Sequence, residues 1–109
     1  MALEIEYARA LRGELIAQRS LDEMRRVGEF SDEQAWRWLG TMKGMFPDVG
    51  AGDRITGVQR PGGNSRFYAN GHLRGEVADR EFTRLFFGIW LSPRTSEPAL
   101  RLQLLGLRP

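Results

Sequence analysis

The sequence predicts an α+β fold in which helices flank an antiparallel sheet. Apolar and polar residues alternate in four short segments, whereas apolar residues recur every three or four positions in four others. Between two of the alternating segments lie Asn70 and Gly71, a pair typical of a tight hairpin turn because both residues accept positive φ. The predicted element order is β-α-α-β-β-β-α-α, which favours an antiparallel sheet.

The first strand is predicted at residues 3–9, where Leu3, Ile5 and Tyr7 alternate with polar or small residues. A strand so placed needs a neighbour on each side or must form an edge of the sheet. A helix is predicted to follow over residues 14–27 because leucine, isoleucine and methionine gather on one side of it.

The second helix is marked by a capping-box pattern, in which Ser31 and Gln34 each satisfy a backbone amide of the other. Its apolar residues recur at spacings of three and four as far as Phe46. Pro47 is expected to stop it, since proline cannot continue a helix.

The middle of the chain predicts a meander of three strands at residues 53–59, 65–69 and 73–77. The first two are joined by a glycine-rich turn at 61–64, and the last two by the Asn70 hairpin. Such a meander gives neighbouring antiparallel strands.

The last third of the chain predicts two more helices. Asp79 is a favourable N-cap residue for the first of them. A stripe at helical spacing follows, and it consists of Phe82, Leu85, Phe86, Ile89 and Trp90. Its aromatic residues are predicted to be core, and the alternative is the wall of a lipid or cofactor site. After a loop at 91–96, a final helix is predicted over 97–105, ended by Gly106.

Composition favours one ordinary globular domain spanning residues 1–109. The chain is 41% hydrophobic and 28% charged, with a net charge of +2. Acidic residues alternate with arginines, so the clustered basic face of a nucleic-acid-binding protein is not predicted. No apolar run of about 18 residues predicts a membrane span, and the N-terminal residues lack the apolar segment of a signal peptide.

Metal sites and cofactors are not predicted. The chain has no cysteine, which excludes disulfides and zinc-thiolate sites. Its one histidine, His72, directly follows the hairpin turn and has no second histidine with which to hold a metal. The glycine-rich turn at 61–64 lacks the lysine and the strand–loop–helix context of a phosphate-binding loop.

A series of short motifs runs along nearly the whole chain. In order, these are GDRITG at 52–57, PGG at 61–63, RFYANG at 66–71, GEVAD at 75–79 and FFGIWLSPRTS at 86–96. Each is a common turn or helix pattern, but the ordered series resembles the C-terminal portion of the chalcone-isomerase-like family, especially its bacterial members. The resemblance implies a chalcone-isomerase-like sheet that lacks the family's N-terminal strands. Either a second copy of the chain or an N-terminal segment is then expected to cover the sheet.

The resemblance also implies what chemistry to expect. In plant chalcone isomerases, an arginine and a threonine from the early strands act with a tyrosine and an asparagine to orient the phenolate and polarise the ketone. The positions of the tyrosine and asparagine correspond here to Arg12 and Arg19, and a charged guanidinium fork does not replace a phenol. Catalysis of that kind is therefore not expected, and no catalytic residue is assigned.

Fatty-acid-binding members of the family hold a lipid tail in the same cavity, with its carboxylate near an arginine. By this resemblance, the expected ligand is small and apolar, and the residues expected to bind it are Tyr7, Arg12, Leu15, Ile16 and Arg19. Alternatively, the two arginines are solvated residues of the helix surface.

Two other functions stay open: an isomerase with an unknown substrate, and an interaction module that pairs through its sheet edge. Bacterial relatives are often exported to the periplasm, which leaves the compartment open.

Overall fold

A computed structural model describes residues 2–91 and 100–105 of the chain. Within them the elements follow one another in the order β-α-α-β-β-β-α-β. The strands are β1 (Ala2–Tyr7), β2 (Arg54–Gln59), β3 (Ser65–Ala69), β4 (His72–Val77) and β5 (Leu100–Leu105), and the helices are α1 (Gly13–Val27), α2 (Asp32–Met45) and α3 (Arg80–Leu91).

The five strands form one antiparallel sheet in the order β4-β3-β2-β1-β5. Ile5 of β1 pairs with Ile55 of β2 on one side and with Leu102 of β5 on the other. The first strand therefore has a neighbour on each side and lies inside the sheet, whereas β4 and β5 are its edges. The predicted α+β class and antiparallel sheet are confirmed.

The predicted helix at 97–105 is wrong, because residues 100–105 form strand β5. Leucines at 100, 102 and 104 alternate there with Arg101 and Gln103, which is the period of a strand. Leucine, arginine and glutamine are strong helix formers, but pairing with β1 along six positions overrides that preference. The predicted loop from residue 92 onward and the stop at Gly106 lie outside the described residues.

The helix caps predicted from the sequence are present. The Gln34 amide donates to Ser31 Oγ at 3.1 Å, and the Ser31 amide donates to Gln34 Oε1 at 2.8 Å. Asp79 Oδ1 accepts from the amides of Glu81 and Phe82, both at 3.1 Å, which caps α3. Local side-chain chemistry therefore fixes where α2 and α3 begin.

Helix α1 begins differently, because the preceding residue, Arg12, makes no side-chain cap. Asp48 accepts a hydrogen bond from the Gly13 amide at 2.7 Å, although the two residues are 35 positions apart. Gly13 also has no room for a side chain, since a Cβ there would lie 2.1 Å from the carbonyl oxygen of Phe46. The start of α1 is thus held by the loop after α2.

The centre of the core is Phe67 of β3, which is 1% exposed. Its ring meets those of Phe46, Phe82 and Phe86 edge to face, with centroids 5.5, 6.2 and 5.0 Å away. Aromatic rings favour this arrangement because the edge of one ring faces the electron-rich face of the other. Phe82 and Phe86, predicted as core, are buried against the strand meander.

Glycines stand beside Phe67 on both neighbouring strands. Gly57 of β2 and Gly75 of β4 are its cross-strand partners. A Cβ at Gly57 would lie 3.2 Å from the Phe67 ring and 3.3 Å from that of Phe87, and one at Gly75 would lie 2.9 Å from Met45. The missing side chains leave space in which the large residues of the helices approach the sheet.

Helix α3 is fastened to the sheet and to α1 by two close contacts. The hydroxyls of Ser65 in β3 and Thr83 in α3, both fully buried, hydrogen-bond to each other. Gly88 of α3 lies against Val27 of α1, and a Cβ there would be 2.6 Å from Val27 Cγ1. The hydrogen bond attaches α3 to the sheet, and the glycine contact lets α3 lie close to α1.

The opposite face of the sheet carries paired charges. Arg54 lies 3.8 Å from the carboxylates of both Glu4 and Glu6. Arg66 Nε donates to Glu76 Oε1 at 2.7 Å across β3 and β4, and this hydrogen bond holds the pKa of Glu76 below its ordinary value. Among residues 2–91, the helices and the apolar core therefore lie on one side of the sheet and the paired charges on the other.

Replacing Phe67 by alanine is expected to lower the free energy of unfolding by about 3 to 5 kcal/mol, because a cavity replaces the central ring. Tyr68→Ala is the matched control, since Tyr68 follows Phe67 in β3 but is only half-buried. Tyr68→Ala should lower the free energy of unfolding by only about 1 kcal/mol. Urea unfolding of both variants measures the difference, and equal losses would contradict the central place of Phe67.

Candidate functional site

A partly enclosed pocket lies between α1, α3 and the sheet. Its floor is formed by Ile5, Tyr7 and Ile55 of β1 and β2, which alternate with outward-facing residues along each strand. Leu11 and Phe46 line it as well. The cavity volume is about 30 Å³, which is room for about one or two water molecules.

The two helices supply the pocket's walls. Helix α1 contributes Ile16, Arg19, Ser20 and Glu23, at a spacing of three and four that places them on one side of the helix. Helix α3 contributes a wall of large apolar side chains, namely Phe86, Ile89 and Trp90. The lining is therefore mostly apolar, and most of its polar groups come from one helix.

Three of the five residues predicted to bind ligand line this pocket. Tyr7 and Ile16 are 3% and 7% exposed, and Arg19 is half-buried. Arg12 and Leu15 lie elsewhere, in a shallow surface groove that also includes Lys43. Arg12 precedes the helix and Leu15 lies about 100° around it from Ile16, so neither faces the sheet.

Arg19 is the cationic group of the pocket. It makes no ion pair and no hydrogen bond with any residue in the described part of the chain. Arg12, by contrast, is 79% exposed and lies 3.8 Å from Glu14. A half-buried guanidinium without an anion beside it has its hydrogen-bond donors available to a ligand.

Glu23 and Trp90 belong to the pocket but were not predicted as site residues. Glu23 is only 7% exposed, and its Oε2 atom lies 3.6 Å from Arg26 Nε. Its other oxygen, Oε1, and Trp90 Nε1 are buried without a hydrogen-bond partner among the residues that the structure describes. One signal could have found Glu23, since it follows Ile16 by seven positions and Arg19 by four on the same helical face.

The described ranges contain neither a group of side chains suited to hold a metal ion nor a helix suited to span a membrane. Across residues 2–91 and 100–105, no three histidine, cysteine or carboxylate side chains are grouped so that they could hold a metal ion. None of the helices there is both long and apolar enough to cross a membrane.

Comparison with known proteins gives a family and a fold. The chalcone isomerase-like family matches residues 14–106. An uncharacterized protein of Haemophilus influenzae is 27% identical over 106 residues, which are 97% of this chain and 52% of that protein.

Among solved structures, a fatty-acid binding protein of Arabidopsis thaliana matches with a TM-score of 0.68 at 13% identity. The match covers 86% of this chain and 49% of that one. At this identity the likeness shows the fold alone. The chain spans about half the length of both relatives.

Replacing Glu23 by methionine is expected to raise the free energy of unfolding by about 1 kcal/mol. The variant removes a buried oxygen without a partner and loses only an ion pair with Arg26, whose side chain is 55% exposed.

Glu14→Met is the control, because Glu14 lies on the same helix with its side chain 67% exposed. Its effect should stay within about 0.5 kcal/mol. Thermal unfolding in parallel measures both variants, and a clear loss of stability in Glu23→Met would show that the carboxylate is well satisfied.

Proposed function

The chain belongs to the chalcone isomerase-like family, and on that premise we propose that it binds a small apolar ligand with an anionic head, such as a fatty acid. The observation that carries the proposal is the half-buried Arg19, which has no ion-pair partner in the described residues and lies beside apolar walls. The similar fold of a fatty-acid binding protein supports the same class of ligand.

The proposed binding mode places the ligand's carboxylate against Arg19. A guanidinium presents two parallel N–H groups that match the two oxygens of a carboxylate, and such charged hydrogen bonds are the strong ones. The alkyl chain would lie against Ile5, Ile16 and Phe86. Each buried methylene contributes about 0.8 kcal/mol, so the apolar walls supply much of the binding energy.

The size of the cavity limits how the ligand enters. A volume of about 30 Å³ holds no alkyl chain. Binding therefore requires that side chains over the pocket move, and we propose that the large half-buried side chains of Arg19 and Trp90 do so. We propose that this small cavity is the closed, ligand-free form of the site.

Replacing Arg19 by glutamine should weaken decanoate binding by roughly 10- to 100-fold, because a charged hydrogen bond contributes about 1.5 to 3 kcal/mol. Calorimetric titration of the chain with decanoate measures the affinity. Arg12→Gln is the matched control, since it removes the same charge from a side chain that is 79% exposed and outside the pocket.

The control should bind decanoate within about twofold of the unmodified chain. Equal losses in the two variants would indicate a general charge effect and count against the site. Absence of decanoate binding to the unmodified chain would remove the proposal.

A further inference from the structure

Two polar atoms in residues that line the pocket are buried and lack hydrogen-bond partners within the described part of the chain. They are Oε1 of Glu23 and Nε1 of Trp90. Leaving such a group buried and unpaired costs roughly 1 to 3 kcal/mol, and folded proteins seldom leave two of them at one place. Both residues line the same small cavity, one from α1 and the other from α3.

The chemistry of the two atoms restricts what can satisfy both. A carboxylate oxygen only accepts hydrogen bonds, and an indole N–H only donates them. A group that serves both must donate to Glu23 and accept from Trp90. A hydroxyl does this with one oxygen atom, whereas a ligand carboxylate cannot donate to Glu23, an ammonium cannot accept from Trp90, and an alkyl chain can do neither.

We propose that Glu23 and Trp90 form a hydroxyl-binding subsite, so that the ligand of this pocket is a hydroxylated apolar molecule. The inference rests on the proposed function, in which Arg19 binds the anionic head of the ligand. Glu23 follows Arg19 by four residues on one helix face, a rise of about 6 Å. The hydroxyl therefore lies near the carboxylate end of the ligand and not at the end of its tail.

The surroundings of Glu23 support the interpretation that one of its carboxylate oxygens, Oε1, is available as a hydrogen-bond acceptor. Its Oε2 lies beside Arg26, which is not part of the pocket lining, while Oε1 has no hydrogen-bond partner in the part of the chain that the structure describes. Arg19 is one turn away on the same face, yet it makes no ion pair with Glu23. The Arg19 guanidinium therefore remains a hydrogen-bond donor for an anion, and the Glu23 carboxylate remains an acceptor for a hydroxyl.

The test is a calorimetric titration of the full chain with decanoate, decanol and a set of hydroxydecanoates that carry the hydroxyl at different carbons. The best hydroxydecanoate should bind the unmodified chain about tenfold more tightly than decanoate, because its hydroxyl adds one hydrogen bond to Glu23 and one from Trp90 and loses those it made to water. Trp90→Phe and Glu23→Met should each remove most of that advantage, so that in each variant the best hydroxydecanoate and decanoate bind with affinities within about threefold of each other, whatever the affinity for decanoate itself becomes. Glu14→Met, on the exposed side of α1, should keep the advantage in full.

Each outcome separates this inference from the proposed function. Decanoate binding that depends on Arg19, with no gain from any hydroxyl, would overturn the subsite and indicate that water alone occupies it. A gain that persists in both pocket variants would overturn it as well. Decanol binding that depends on Glu23, together with no binding of decanoate, would support the subsite and remove the anionic ligand.

Discussion

The packing of Phe67 between its two glycine neighbours is the constraint on which the pocket depends. With no side chains at Gly57 and Gly75, the Phe67 ring lies on the sheet and receives Phe82 and Phe86 of α3 edge to face. The buried hydrogen bond between Ser65 and Thr83 attaches the same helix to β3. Because α3 is held in this way, Phe86, Ile89 and Trp90 form one wall of the pocket opposite α1.

The pocket combines this well-packed scaffold with polar groups that the scaffold does not satisfy. Elsewhere in the described chain, buried polar groups have partners: the Trp38 indole donates to Asp79, and the hydroxyls of Ser65 and Thr83 bond each other. At the pocket, Arg19 has no anion and two buried atoms have no hydrogen-bond partner among residues 2–91 and 100–105. Such unpaired groups cost stability, and this cost is the physical reason for proposing a ligand that complements them.

Sequence reasoning succeeded where short-range chemistry decides the structure. The capping box at Ser31, the Asp79 cap and the Asn70 hairpin are set by residues within a few positions. It failed at β5, where helix-forming residues outweighed the strand-like alternation in the prediction, whereas pairing with β1 makes the segment a strand. It could not foresee that Asp48, 35 residues away, holds the start of α1. For the site, the family resemblance predicted Ile16 and Arg19 together with Arg12 and Leu15, and it did not predict Glu23. Only tertiary packing shows which side of α1 meets the sheet, and it leaves Arg12 and Leu15 outside the pocket.

The three tryptophans offer the most direct measurement of whether this pocket binds an apolar anion. Trp90 lines the pocket, the Trp38 indole donates to Asp79 at 3.0 Å, and Trp36 is 82% exposed. In a nitrogen-15 NMR titration with a fatty acid, the account predicts that the Trp90 indole signal and the Arg19 side-chain signal move together while those of Trp36 and Trp38 stay in place. Movement of the Trp36 signal alone, or of none, would contradict a ligand site between α1, α3 and the sheet.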